Sequence, residues 1–264
     1  MKITFVVVDI TARAGTERTT TLLANTLVNK GHEVCIISLF RRNKYPAFYL
    51  ETMVDVLYIV DKEYSIRQSL FQRLFLIIKS FFSFQKIIGR NHCDLFIGQN
   101  FLVNLFLYFW GFSGKSVACE HNLYNIYPSP VLLFREYVYK SFYKLVSLTN
   151  KDASKFTRRL NNVEVIPNML TFTVDKTADL TSKRILSIGR LSDQKGYDLL
   201  LEAVKNLWEE YPDWHLDILG EGEMYDYLSE KIRVYHLEKN VCLKGYTSDV
   251  VTEYLSSSVY VMSS

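Results

Sequence analysis

The chain has 264 residues, 48% of them hydrophobic and 22% charged, with a formal net charge of +3. Those values fit a soluble globular protein of one or two domains with a sizeable core, and so small a charge gives no ground for a nucleic-acid partner. The apolar run at residues 3–8 is too short for a signal peptide, and no run reaches the roughly 18–20 apolar residues needed to span a bilayer.

Residues 3–8 are β-branched and continuous, the pattern of a strand buried on both faces of a parallel sheet. Residues 11–17 read as a loop and 18–30 as a helix, with Leu22, Leu23, Leu27 and Val28 at helical spacing and Gly31 as its stop. A strand at 33–39 completes a βαβ unit, whose crossover is expected to be right-handed. The alternation continues with a strand at 54–60, a long helix at 66–90 and strands at 94–97 and 116–119. A helix at 130–143, a strand at 145–148, a short helix at 150–160 and a strand at 163–166 follow. The apolar run at 101–112 contains Asn104 and suits a buried helix or an interfacial segment. Residues 171–183 are polar and without periodicity, as in a linker. Beyond them, strands at 184–188, 215–219, 241–243 and 259–262 alternate with helices at 197–210, 224–236 and 248–256. The expected division is an α/β domain at 1–170, a linker at 171–183 and a second α/β domain at 184–264.

The cysteines Cys35, Cys93, Cys119 and Cys242 stand singly, mostly in apolar runs, with no Cys/His spacing for a metal. Buried, reduced thiols in a cytosolic protein are expected. Aromatic residues crowd the first 145 positions, which suits either an aromatic core or a surface that meets something apolar.

Ligands of open parallel sheets bind beyond the carboxyl ends of the strands, so four strand ends are candidate sites. After the first strand, Gly15 stands before a helix whose N-terminus attracts anions; an ordinary turn also fits, and a single glycine there is not a dinucleotide fingerprint. Glu120-His121-Asn122 ends another strand, where His121 could bond a sugar hydroxyl or simply pack the loop. The third is Gly189-Arg190-Leu191-Ser192-Asp193-Gln194-Lys195-Gly196, which sets two cations in one strand–helix loop. The planar fork of Arg190 and the point charge of Lys195 suit phosphate oxygens, a reading favoured over two solvated surface charges. Gly220-Glu221-Gly222-Glu223 could hold a nucleotide edge or be a plain turn.

The stretch between Glu63 and Asp94 has no acidic residue. On a wheel of about 100° per residue, Leu70, Phe71, Leu74, Phe75, Ile77, Ile78, Phe81, Phe82 and Ile88 fall on one half, and Arg73, Lys79, Lys86 and Arg90 on the other. This basic amphipathic pattern favours an interfacial membrane contact over a core helix with a solvated basic face.

Taken in order, these segments resemble the retaining GT-B glycosyltransferases of family 4, of the bacterial capsule and O-antigen type. Ala14-Gly15-Thr16-Glu17-Arg18, Gly31-His32-Glu33-Val34, Cys119-Glu120-His121-Asn122, Val165-Ile166-Pro167-Asn168, Ser187–Gly196 and Leu219-Gly220-Glu221-Gly222 are similar to family segments. The resemblance implies an α/β, GT-B fold of two Rossmann-like domains facing a cleft, and transfer of a hexose from a nucleoside diphosphate sugar with retention. His121, Arg190 and Lys195 would then be catalytic. Gly15, Gly189, Arg190, Lys195, Gly220 and Glu221 would bind the donor, while Glu17 and Arg18 would face the acceptor. The resemblance implies no metal and no cofactor. The acceptor would be a glycan or lipid-linked, at the cytoplasmic leaflet of the plasma membrane, where the protein would be peripheral. It also implies that a glutamate pair contacting the donor lies beyond Ser264, so the second domain is expected to be incomplete, the edge at 259–262 open, and transferase activity of these 264 residues weak or absent. A non-catalytic nucleotide-sugar binder and a sugar-nucleotide epimerase of the same fold are the competing readings.

Overall fold

A strand whose consecutive residues are apolar must be covered on both sides, and the first strand, β1 (Lys2–Val7), meets that demand with Phe5, Val6 and Val7 fully buried. The computed structural model describes residues 1–65, 68–88, 93–170, 172 and 174–264. The chain divides into two compact units, Met1–Thr171 and Phe172–Ser264.

In the first unit, β1 is joined by β2 (Glu33–Ser38), β3 (Val54–Tyr58), β4 (Leu95–Gly98), β5 (Ser116–Glu120), β6 (Lys144–Ser147) and β7 (Val163–Val165). The sheet order is β3-β2-β1-β4-β5-β6-β7 and every pair is parallel. Val6 stands opposite Ile37 on one side and Gly98 on the other. The helices are α1 (Gly15–Asn29), α2 (Leu70–Ile88), α3 (Phe101–Phe109), α4 (Ser129–Tyr139) and α5 (Asn150–Phe156). Successive residues of a strand face opposite ways. Accordingly Phe5, Val7 and Ile36 join one core cluster, while Val6, Ile37, Phe84, Phe106 and Tyr139 join another. The chain runs outward from β1 to β3, then returns to the far side of β1 at β4. The crevice where β1 and β4 part is the place such sheets offer to a ligand.

The second unit repeats the plan with β8 (Arg184–Ile188), β9 (His215–Leu219), β10 (Val241–Gly245) and β11 (Val259–Tyr260), parallel throughout and ordered β10-β9-β8-β11. Its helices are α6 (Tyr197–Val204), α7 (Leu207–Glu210), α8 (Tyr225–Val234) and α9 (Val250–Leu255).

Several boundaries differ from the sequence reading for identifiable reasons. The helix expected at 18–30 starts at Gly15, because Ala14 is already extended and serves as its N-cap. The helix expected at 197–210 is two helices, since Asn206 leaves ideal helical geometry at φ −98°, ψ −3°. Asparagine competes poorly for helix interiors. The helix expected at 66–90 is described as Leu70–Ile88; its flanks at 66, 67, 89 and 90 lie outside the described residues. The apolar run at 101–112 becomes α3, N-capped by the Asn100 side chain, with buried Asn104 donating to the Tyr139 hydroxyl at 3.2 Å. Cys93 is buried as expected, but Cys242 is exposed, because β10 is an edge strand and Cys242 points outward from it. The polar stretch before β8 packs on its own unit: Phe172 lies against Tyr254, and the Asp179 N–H donates to the Leu255 carbonyl at 2.9 Å.

A charged cluster fixes the floor of the second sheet. Arg184 donates from Nε to Asp217 Oδ2 at 2.6 Å and from Nη1 to the Ser256 hydroxyl at 2.6 Å, and it also pairs with Glu253. Lys244 Nζ lies 2.7 Å from the same Asp217 oxygen. Asp217, 2% exposed, thus joins β8, β9 and β10. Asp217→Ala leaves two cations without their shared partner and is expected to destabilise this unit by roughly 3 kcal/mol. Urea unfolding measures this, and a loss below about 0.5 kcal/mol would show that the cluster is dispensable.

Candidate functional site

The loops that follow β1, β4 and β5 lie side by side at the carboxyl edge of the first sheet. The loop after β1 is held from within: buried Asp9 accepts the Thr11 N–H at 2.9 Å and the Thr11 hydroxyl at 2.6 Å. The Thr11 oxygen in turn accepts from the backbone N–H groups of Arg42 and Asn43, at 3.0 and 2.9 Å, which anchors this loop to the one after β2. The chain then enters α1, whose N-cap Ala14 supplies no side-chain acceptor. The first N–H groups of α1 are oriented as donors to an anion. An added Cβ at Gly15 meets no atom within 4 Å. The fold alone therefore does not require a glycine there.

Gln99 follows β4 and His121 follows β5, and His121 Nε2 lies 2.6 Å from Gln99 Oε1. With the amide oxygen as acceptor, Nε2 carries the proton and Nδ1 is left to accept. Burial pushes the His121 pKa below its ordinary value, so the ring is neutral at pH 7. It is equipped to hydrogen-bond a hydroxyl, not to act as a fixed cation.

The support beneath His121 is polar and almost dry. Glu120 is 3% exposed and Arg135 is 0% exposed. Arg135 Nη1 donates to Glu120 Oε2 at 3.5 Å and Nη2 to the Tyr124 carbonyl at 2.7 Å. The Tyr139 hydroxyl donates to the other Glu120 oxygen. The guanidinium carbon lies 4.9 Å from the Phe156 ring centroid and 5.3 Å from those of Tyr124 and Tyr127. Burial raises the Glu120 pKa, against the opposing pull of Arg135 and the Tyr139 hydrogen bond.

Glu17 and Arg18 are adjacent in sequence but turn different ways. Arg18 is exposed, with its guanidinium carbon 6.0 Å from the Phe48 ring centroid. Glu17 is buried, and its Oε2 has no hydrogen-bond partner. Desolvation, with nearby Asp9 adding to it, pushes the Glu17 pKa up to about 7.

In the second unit, the loops after β8 and β9 are stacked. The Gly189 N–H donates to the Leu219 carbonyl at 2.9 Å, and the Leu191 N–H to the Glu221 carbonyl at 3.0 Å. Gly220, at φ +144°, sits where any Cβ would overlap the Gly189 carbonyl oxygen, so this glycine is required by the fold itself. A 3-10 turn at Asp193–Lys195 leads into Gly196, which is left-handed at φ +61° and starts α6. A Cβ there would come within 2.6 Å of the Ser263 carbonyl oxygen. The Lys195 stem runs beside Gly189, and Lys195 is half-buried. Arg190 is exposed and pairs with exposed Glu223 at 3.1 Å. Such surface pairs are worth about 0–1 kcal/mol, so the guanidinium is readily given up to a stronger anion. Glu221 is exposed on the facing loop. A cavity of about 310 Å³ nearby is lined by Asp193, Asp198, Glu223, Met224 and Tyr227. Its three carboxylates repel a diphosphate.

The sequence-derived positions thus fall just beyond strand ends: Gly15, Glu17 and Arg18 at the start of α1 and His121 after β5 in the first unit, and Gly189, Arg190, Lys195, Gly220 and Glu221 after β8 and β9 in the second. Strand-end position alone marks Gln99, which directly follows β4. Arg135 and Tyr139 carry no such mark, lying within α4 and at its last position.

On α2 the structure corrects the wheel. Leu76, Phe84 and Ile88 face the core, whereas Leu70, Phe71, Leu74, Phe75, Ile78 and Phe82 are exposed. Lys79 and Lys86 are exposed. Arg73 instead lies inward and half-buried: it donates to the Tyr64 hydroxyl at 3.3 Å, with its guanidinium carbon 5.4 Å from that ring's centroid. Arg90 lies outside the described residues. Among the described residues, no helix is long and apolar enough to cross a membrane, and no cluster of His, Cys, Asp and Glu could hold a metal.

Comparison with known proteins defines the class: the chain is a glycosyltransferase of GT-B fold. Residues 13–171 match the family Glycosyltransferase Family 4, and residues 171–264 match Glycosyl transferases group 1. The chain belongs to glycosyltransferase family 4. It is 29% identical over 271 residues to an uncharacterized glycosyltransferase of Haemophilus influenzae, covering 100% of this chain and 74% of that protein. It is 28% identical over 275 residues to the amylovoran biosynthesis glycosyltransferase AmsD of Erwinia amylovora, with the same coverage of 100% and 74%. Among solved structures, a mutant of S. aureus TarM in complex with fondaparinux, α-GlcNAc-glycerol and UDP superposes with a TM-score of 0.76 at 11% identity, covering 100% of this chain and 81% of that one.

The buried Glu17 generates a pH dependence. Its carboxyl titrates near 4.5 when unfolded and near 7 when folded. The folded state holds the proton more tightly, so this contribution to stability is complete below about 4.5 and is lost as pH rises through about 7. Glu17→Gln cannot ionise; it is expected to match the parent near pH 4.5 and to exceed its stability by up to about 3 kcal/mol at pH 8. Urea unfolding at both pH values tests this, and an equal difference at the two would refute it.

Proposed function

We propose that this glycosyltransferase moves a hexose from a nucleoside diphosphate sugar to a glycan or lipid-linked acceptor, with retention at the anomeric carbon, in surface polysaccharide assembly. The observation that carries the reading is the loop from Gly189 to Gly196. It holds Arg190 at the surface in an exchangeable ion pair and Lys195 beside Gly189 at the entrance to α6. Two cations so placed stabilise the negative charge that grows on a departing diphosphate. His121, kept neutral and oriented by Gln99, hydrogen-bonds the transferred sugar. Gly15 leaves room for a phosphate to approach the N–H groups of α1, and Gly189, Gly220 and Glu221 shape the donor side. Arg18 faces the acceptor, with Glu17 buried behind it. No metal or cofactor enters this scheme. The amylovoran assignment of the Erwinia relative and the UDP bound by TarM support the polysaccharide and nucleotide parts of the reading.

We place this enzyme at the inner face of the plasma membrane, as a peripheral protein. The support is α2, on which exposed Phe71, Leu74, Phe75, Ile78 and Phe82 lie beside exposed Lys79 and Lys86. That combination suits the headgroup region of an anionic leaflet.

In an intact homologue, the changes equivalent to Arg190→Ala and Lys195→Ala are each expected to lower transfer about 10²–10³-fold, with stability changed by less than about 0.5 kcal/mol. Turnover of a labelled sugar nucleotide measures this; full activity in both variants would sink the assigned role, and an inverted anomer in the product would sink retention. Co-sedimentation with anionic vesicles is expected to weaken with salt and to drop about tenfold or more in Lys79→Glu/Lys86→Glu. Binding indifferent to both would remove the membrane contact.

A further inference from the structure

α2 and α3 enclose an apolar groove of about 430 Å³, formed by Ile78, Phe81 and Phe82 of α2 and by Leu102, Leu105 and Phe109 of α3, among others. Every side chain lining it is apolar, and Ile78, Phe82 and Phe109 are roughly half exposed, at 48%, 59% and 58%. This volume is within the ~300–1,000 Å³ range of small-molecule sites. We infer that the groove takes up one hydrocarbon chain of an anionic membrane lipid.

Three observations select that occupant. The lining offers no polar group, so an extended peptide would leave backbone N–H and C=O groups without partners. The helix that forms one wall comes from a stretch without a single acidic residue, between Glu63 and Asp94. By helical geometry of about 100° per residue, Lys86 and Lys79 follow directly on the exposed apolar arc that ends at Phe82 and Phe75, and both are solvent-exposed. An anionic headgroup would thus meet cations at the groove's rim while its chain lies between the helices. A second copy of this chain, docked about a two-fold axis, would set the same cations against each other. The inference deepens the membrane reading: the surface would not only rest on the leaflet but draw a single chain out of it.

The test separates the two. Decyl phosphate, kept below its aggregation threshold, is titrated into the full chain by calorimetry, and saturable one-to-one binding is expected. Leu105→Trp, which fills the groove from α3, is expected to weaken that binding at least tenfold and to leave co-sedimentation with anionic vesicles unchanged. Phe71→Ser/Phe75→Ser, outside the groove, should do the reverse. A second readout does not depend on the tryptophan variant folding. Trp110 stacks on Phe81 with ring centroids 4.7 Å apart, so a brominated alkyl phosphate should quench its fluorescence in a Trp208→Phe/Trp214→Phe background. Absence of both saturable binding and quenching overturns the inference, and vesicle binding that persists alongside leaves the membrane reading standing. Chain uptake without vesicle binding upholds the groove and removes the membrane reading. Self-association that Leu105→Trp abolishes, with no chain uptake, overturns the inference and assigns the groove to a second copy.

Discussion

A parallel sheet covered by helices on both faces has only its strand ends free. In this chain that constraint does most of the organising. Phe5, Val6 and Val7 leave no solvent-facing side on β1, so polar residues with chemical work to do are displaced to the loops beyond the strands. Because β4 returns to the opposite side of β1 from β2, the start of α1 at Gly15 and the loops that carry Gln99 and His121 gather at one edge of the sheet although they are far apart in sequence. The second unit obeys the same rule on a smaller sheet, and there the rule places Gly189 against Gly220 and Leu191 against Glu221.

Desolvation governs the chemistry of the residues so gathered. It keeps His121 neutral and raises the carboxyl of Glu17 toward neutral pH. Arg190 is the opposite case. It stays in water, in an ion pair of little strength, where it can change partners. One unit therefore offers preset hydrogen-bonding groups and the other an exchangeable charge.

The α/β class and the strand ends were legible because buried parallel strands are written as unbroken runs such as Ile3 to Val7, and because glycine followed by charge marks the turn beyond them. The GT-B family was legible through the order of short segments rather than through any one of them. What could not be read was the direction in which a side chain turns at the end of an element. Glu17 and Arg18 look alike as exposed charges until the start of α1 at Gly15 fixes one inward. Arg73 looks like a solvated cation until Tyr64, brought back from the preceding loop, offers it a ring and a hydroxyl. The wheel for α2 failed for a related reason. A helix that packs on one face and leaves a second apolar face open shows a single broad apolar sector in sequence, and only the neighbouring α3 divides it. Arg135 was silent because a mid-helix arginine is ordinarily a surface residue; its burial depends on Glu120 and on three aromatic rings from other segments.

That last arrangement bears on how this corner of the molecule can change over time. Arg135 and Glu120 are both withdrawn from water, and each is tolerable there because the other is present. Losing either one first passes through a form with an unmatched charge in the interior, which costs far more than the pair contributes. Lysine is no stepping stone, since it lacks the flat surface that lies among Tyr124, Tyr127 and Phe156. The corner beneath His121 is therefore expected to be inherited as a block, its members conserved or exchanged together, while the exposed loops around it drift one residue at a time.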